Sequence, residues 1–132
     1  MKRNQNRKGI PMAATEHDRL LAGLIDALRL IGATNIRADL NNLHRPAKIV
    51  WTRTQEGHIP DASATINGKK VIFEVETCDT LFTDHTESQL KLFGAYSRQK
   101  KVPCFIVVPA NCEIQAGLQI DKLKVPIHVV GY

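Results

Sequence analysis

The chain has 132 residues, of which 43% are hydrophobic and 23% charged, with a formal net charge of +5; this fits one domain long enough to bury a real core and excludes fibrous and low-complexity classes. No apolar run approaches the roughly 18 residues of a membrane span, and the start Met1-Lys2-Arg3-Asn4-Gln5-Asn6-Arg7-Lys8 lacks the apolar stretch of a secretory signal, so a cytoplasmic protein with no membrane association is expected. Cys78, Cys104 and Cys112 are odd in number and lack C-x-x-C spacing, which implies neither a disulfide framework nor a zinc site. All three are expected to be reduced, two of them in or near the core.

Lys2, Arg3, Arg7 and Lys8 are four positive charges with no acid among the first fourteen residues; without them 14 basic residues face 13 acidic ones, a body near +1. Residues 1–14 therefore read as a basic, flexible arm ahead of a single domain over 15–132. Such an arm grips nucleic-acid phosphates through counterion release, or serves only as a solvated tail. Thr15 with Asp18 three residues on marks a helix start, and Leu20, Leu21, Leu24, Ile25, Leu28 and Ile31 recur at helical spacing until Gly32 stops them. The apolar arc also takes in His17, while Glu16 and Asp18 flank it in the first turn, where acids complement the helix dipole. Thr34 to Leu40 reads as a strand, Asn41-Asn42 and Arg45-Pro46 as a turn or loop, and Lys48 to Arg53 as a further strand or bulged extension.

Residues 59–76 carry the strongest local signal. Asn67-Gly68 tolerates the positive φ that a two-residue type I′ turn requires at both central positions, so the flanks form a β-hairpin of fixed register. With Ile66 opposite Lys69, Ala64 faces Val71, Ala62 faces Phe73, and Asp61 lies opposite Glu74. Alternation puts Ala62, Ala64, Ile66, Val71, Phe73 and Val75 on one face and Asp61, Ser63, Thr65, Lys70, Ile72, Glu74 and Glu76 on the other. Directly opposed Cβ atoms sit roughly 4.5 to 5.5 Å apart, so Asp61 and Glu74 crowd each other with like charge unless something positive lies between them. A divalent cation such as Mg²⁺ or Mn²⁺ meets that need, because hard cations take oxygen ligands, commonly one or two carboxylates with water and substrate phosphate. The bland alternative is a solvated carboxylate face.

Thr77 to Thr83 reads as a loop and Asp84 to about Lys100 as a helix, with Gln89, Leu92, Phe93 and Tyr96 on one arc and Ser88, Lys91 and Arg98 opposite. A glutamine in an apolar stripe needs a polar partner, which is either the carboxylate face of the hairpin or loop carbonyls that it caps with no role in chemistry. Cys104 to Val108 is a continuous apolar run, as expected of a strand buried on both faces, and the strand–helix–strand order makes it parallel to the strand ending at Glu76. A short helix within 111–123 and a last strand over 127–130 complete the chain.

The order helix, strand, hairpin, helix, strand, with Pro60-Asp61 opening the hairpin and Glu74-Val75-Glu76 closing it, resembles the PD-(D/E)XK nuclease superfamily over about residues 15–108. The resemblance implies an α/β, restriction-endonuclease-like fold: a central mixed β-sheet flanked by helices on an α-β-β-β-α-β core. It implies Mg²⁺ (or Mn²⁺) held by Asp61, Glu74 and the Val75 backbone carbonyl. Gln89 resembles the glutamine that many members place beside the active site, and Glu16, more loosely, an acid some bring from the first helix. The chain departs from the pattern at the third position, where Glu76 stands in place of lysine. The lysine orients the attacking water and offsets phosphate charge, whereas a third carboxylate could hold a second metal or act as general base. Lys70 is four residues from Glu74, about 13 Å along a strand, and Lys91 lies on the solvent side of its helix, so neither replaces that lysine.

The functional expectation is a metal-dependent DNA nuclease of the repair, restriction or mobile-element type, with Asp61, Glu74, Glu76 and Gln89 as catalytic residues. The alternative is a catalytically degenerate domain of the same fold that binds nucleic acid or a protein partner. Lys2, Arg3, Arg7, Lys8, Lys70, His58 and His85 are the candidates for contacting DNA, and a homodimer is common in such folds. His58 precedes Asp61 by three residues, and His85 opens the second helix. Trp51, the sole tryptophan, reads as core or hairpin packing rather than a base-stacking platform, and Thr77, Asp79 and Asp84 flank the site.

Overall fold

Thr15 opens the first helix as the sequence predicts, its Oγ1 accepting from the Asp18 backbone N–H at 3.2 Å. In this computed structural model residues 15–40 and 42–132 are described; the basic arm with Lys2, Arg3, Arg7 and Lys8, and Asn41 of the expected turn, lie outside them. Helix α1 spans Glu16–Leu30 and buries Leu20, Leu21, Leu24, Ile25 and Leu28. Ile31, expected on the same stripe, is instead 65% exposed. The helix ends one residue before it, and Gly32, at φ 81°, turns the chain away.

Strands β1 (Thr34–Ala38), β4 (Ala62–Ile66), β5 (Lys69–Val75), β6 (Cys104–Val108) and β7 (Ile127–Gly131) form one sheet in the order β1-β4-β5-β6-β7. β1 pairs antiparallel with β4 and β4 with β5, whereas β5–β6 and β6–β7 are parallel. The fold is thus α/β with a mixed five-stranded sheet, and β5 is where antiparallel pairing gives way to parallel pairing. β1 ends two residues earlier than expected and carries a register shift between Thr34 and Arg37, where Asn35 takes φ 49°. The β4–β5 hairpin has the predicted register: Ile66 pairs with Lys69, Ala64 with Val71 and Ala62 with Phe73. Asn67 and Gly68, at φ 50° and 79°, make the turn that sets it.

Each face of the sheet closes a separate core. Ala62, Ala64, Val71, Phe73, Val75 and Val107 pack with α1. On the opposite face Ile72, Ile106 and Val108 pack with helices α2 (Asp84–Lys100) and α3 (Glu113–Leu123) through Leu90, Phe93, Ala116 and Ile120. The carboxylate face of the hairpin is therefore covered by a helix, and the solvated alternative does not hold. The expected strand from Lys48 shrinks to β2 (Ile49–Val50), which pairs with β3 (Gly57–His58) as a separate two-stranded ribbon. No helix among the described residues is long and apolar enough to cross a membrane.

One expectation is corrected. Cys104 and Cys112 are buried as predicted, but Cys78 and Cys112 are joined in a disulfide with Cα atoms 5.8 Å apart. The residues are 34 apart in sequence. They meet because the loops after β5 and β6 emerge side by side from neighbouring parallel strands, a proximity that local spacing does not display. The same loop is tied to α3 by Gln119, whose Nε2 donates to the Leu81 carbonyl at 3.4 Å.

Candidate functional site: a buried carboxylate cleft

The hairpin register delivers Asp61 and Glu74 to each other as predicted. The Asp61 backbone N–H donates to Glu74 Oε1 at 3.3 Å, and the Val75 N–H donates to Asp61 Oδ2 at 2.8 Å. Glu74 is 2% exposed and Glu76 6%, and both follow the strand alternation onto the face covered by α2. Glu76 Oε1 accepts from Thr80 Oγ1 at 2.6 Å and from Thr86 Oγ1 at 3.1 Å. Burial pushes the Glu74 carboxyl well above the usual carboxylate range, and the charges of Asp61 and Glu76 push it further. Glu76 is also raised by burial, less so because Thr80, Thr86 and Glu74 donate to it. Both shifts run upward, as expected where buried carboxyls crowd one another.

His17 is the residue that sequence reasoning missed. Its Nε2 lies 3.3 Å from Asp61 Oδ2 and its Nδ1 3.8 Å from Asp18 Oδ1. The hydrogen bond to Asp61 holds its pKa above the ordinary imidazole value against the opposing effect of burial. The available signal was a polar ring on an otherwise apolar helix face, the same reasoning that singled out Gln89. Glu16, assigned the role of acid from this helix, is exposed at the mouth of the cleft.

Around these groups runs a cleft of about 500 Å³ lined by the five acids Glu16, Asp61, Glu74, Glu76 and Asp79, by His17, His85 and Gln89, and by Val75 and the hydroxyls of Thr77, Thr80, Thr83 and Thr86. Among the described residues neither lysine nor arginine lines it. Lys70 is turned toward α2, donating to the Tyr96 hydroxyl at 3.3 Å, and Lys91 pairs with Glu87 at 2.9 Å. Asp84 is absent from the lining, and His58 sits behind His85, with its Nε2 3.1 Å from Ser88 Oγ. Burial, helped by the charges of His85 and Lys48, lowers the His58 pKa.

Among the described residues no three His, Cys, Asp or Glu side chains converge as a preformed metal cage. The donor set nevertheless suits a hard divalent cation, which needs only one or two carboxylates and keeps several waters, rather than a soft metal needing thiolates or several imidazoles. Asp61 and Glu74 could supply two such oxygens, and a dipositive ion there would offset their mutual repulsion.

The Thr86 hydroxyl is 2% exposed with its residue and points at a carboxylate. Thr86→Val is expected to destabilise the fold by about 1.5–3 kcal/mol, the range for hydrogen bonds to charged groups, and to raise the Glu76 pKa further; urea unfolding checks the first and carboxyl-carbon NMR titration the second. Comparison of the chain with protein families, with curated proteins and with solved structures returns no match.

Proposed function

We propose that the protein is a metal-dependent nuclease of restriction-endonuclease-like fold that hydrolyses DNA phosphodiester bonds with Mg²⁺ or Mn²⁺. The observation that carries this reading is the crowding of Asp61, Glu74 and Glu76 in a cleft that no lysine or arginine lines among the described residues. Three carboxylates held together at a loss in stability make sense as a cation site and have no use in a domain that only packs or only binds phosphates. The α/β layering, the Asp61–Glu74 register and Gln89 beside them agree with the PD-(D/E)XK resemblance.

In this reading Asp61 and Glu74 hold the ion, with the Val75 carbonyl available beside them. When bound, the ion supplies charge for a phosphate oxygen and lowers the pKa of a water. Asp61 is fixed from two sides, by the Val75 N–H and by His17 Nε2. Glu76, held by Thr80 and Thr86, would take a proton from the attacking water at its carboxylate. Gln89 presents an amide that donates to phosphate or orients water. Without a cation the five acids repel a phosphodiester, so substrate approach itself depends on the metal.

The alternative, a degenerate domain that binds nucleic acid or a protein without cutting, draws on Glu76 standing where lysine is expected. Incubation with linear, single-stranded, supercoiled and branched DNA in Mg²⁺, Mn²⁺ and EDTA separates the two. Cutting only with metal is the expected result; salt-sensitive DNA binding without cutting in any condition favours the degenerate domain.

A further inference from the structure

Among the described residues no lysine or arginine lines the cleft, and the β2–β3 ribbon, which reaches it through His58 and His85, carries two exposed ones, Lys48 and Arg53. Its root is fixed. Ile49 is 8% exposed and belongs to the core against α2, and His58 stands on that helix, bonded to Ser88 and edge-on to Phe93 and His85 at centroid distances of 6.2 and 5.3 Å. Gly57 lets the two strands close, because a Cβ there would run into the Ile49 carbonyl. Beyond the root the backbone stays ordered: Trp51 N–H donates to the Glu56 carbonyl and Gln55 N–H to the Trp51 carbonyl, both at 2.8 Å.

What this ribbon displays is unusual for a surface turn. Trp51, the sole tryptophan, is 40% exposed and belongs to neither core, so of the expected core or hairpin packing the core placement does not hold. Lys48 and Arg53 are exposed on the same ribbon, against one acid, Glu56. Neither cation is in an ion pair among the described residues, whereas Lys91 and Arg45 have acidic neighbours. The ribbon also leads directly into the cleft. His58 is three residues before Asp61, at most about 11 Å of extended chain, and His58 touches His85, which lines the cleft.

We infer that the ribbon is the strand-gripping element of this protein, with Trp51 stacking on an unpaired base and Lys48 and Arg53 contacting the flanking phosphates, so that single-stranded or locally unpaired nucleic acid is presented to the carboxylates. This rests on the nuclease reading for its purpose but not for its test. An indole held out of the core on a ribbon with two cations is the combination that binds a single strand: aromatic stacking is sequence-tolerant and needs an unstacked base, while the cations supply the salt-dependent part. A fully paired duplex offers the cations their phosphates but gives Trp51 no base.

The experiment uses the full chain in EDTA, so that nothing is cut, and follows Trp51 fluorescence while oligo(dT) or a blunt duplex is added; labelled-oligonucleotide anisotropy reports binding independently. The expected results are saturable quenching by oligo(dT), weaker binding of the duplex, and about tenfold or greater loss of oligo(dT) affinity in Trp51→Ala. Lys48→Ala with Arg53→Ala should flatten the salt dependence by roughly two charges. These exposed positions leave folding intact, which circular dichroism verifies. Unquenched Trp51 with unchanged affinity in the variants overturns the ribbon. If metal-dependent cutting survives in that case, the nuclease reading stands without it; if quenching occurs and no condition yields cutting, the ribbon stands and the nuclease reading falls.

Discussion

Asp61→Asn is expected to bind Mn²⁺ at least about 100-fold more weakly than the wild type and to lose metal-dependent cutting, since changes one shell further out already weaken metal sites 10- to 100-fold. The substitution isolates charge from architecture. Asp61 Oδ2 accepts the Val75 N–H at 2.8 Å, and an asparagine oxygen can keep that bond. Asp61→Ala cannot, and leaves a part-buried N–H without its partner, at about 1–3 kcal/mol. Equal loss of metal binding in both variants, with reduced stability in the alanine alone, assigns the effect to the missing negative charge. Calorimetry that finds wild-type metal affinity in Asp61→Asn and in Glu74→Gln would sink the metal site.

The metal-free protein is expected to melt at lower temperature at pH 8 than at pH 5.5, and Glu74→Gln to remove most of that slope. The sign follows from which state holds protons. Glu74 and Glu76 have folded pKa values raised from 4.5, so as pH rises through the window above 4.5 the folded state keeps protons that the unfolded chain has released, and stability falls. His17, raised from 6.5, acts in the same direction. Its pairing with Asp61 is fully present below that value and is lost as pH climbs through the raised one. A glutamine at position 74 keeps a donor toward Glu76 and never ionises. Glu74→Gln should therefore melt several degrees above the wild type at pH 8, a gain of 1 kcal/mol being worth roughly 4 °C in a domain of this size. Mn²⁺ should raise the wild type at pH 8 and leave the variant unmoved. Scanning fluorimetry in EDTA and in Mn²⁺ reads all four cases, and a flat or rising wild-type profile in EDTA contradicts the upward shift of the buried carboxyls.

These expectations grew from a stretch of sequence that states its own geometry. Asn67-Gly68 leaves one turn type, one turn type leaves one register, and the register puts Asp61 against Glu74 before any tertiary contact is known. The continuous run from Cys104 was equally readable, because only a doubly covered strand tolerates it. What stayed hidden depended on contacts between distant segments. His17 lies on an apolar helical face, and only the placement of α1 across the hairpin reveals that it meets Asp61. The β2–β3 ribbon has two-residue strands, too short for alternation to register, so the sequence leaves open whether Trp51 sits in the core or on the hairpin, and it lies in neither core. Lys70 shares a strand face with Glu74, but that face also meets Tyr96, and the ring captures the ammonium group.

The Cys78–Cys112 bond turns part of the chain into a closed ring that contains all of α2 and β6. Within this ring lies the exposed turn after α2, where Lys101 sits at φ 57°. A trypsin cut after Lys100 or Lys101 should therefore leave one covalent molecule on a non-reducing gel and two fragments once a thiol is added. Backbone scission at that turn would not release the strand carrying Glu74 from the one beside it, so the oxidised protein should tolerate a broken main chain next to its most crowded charges.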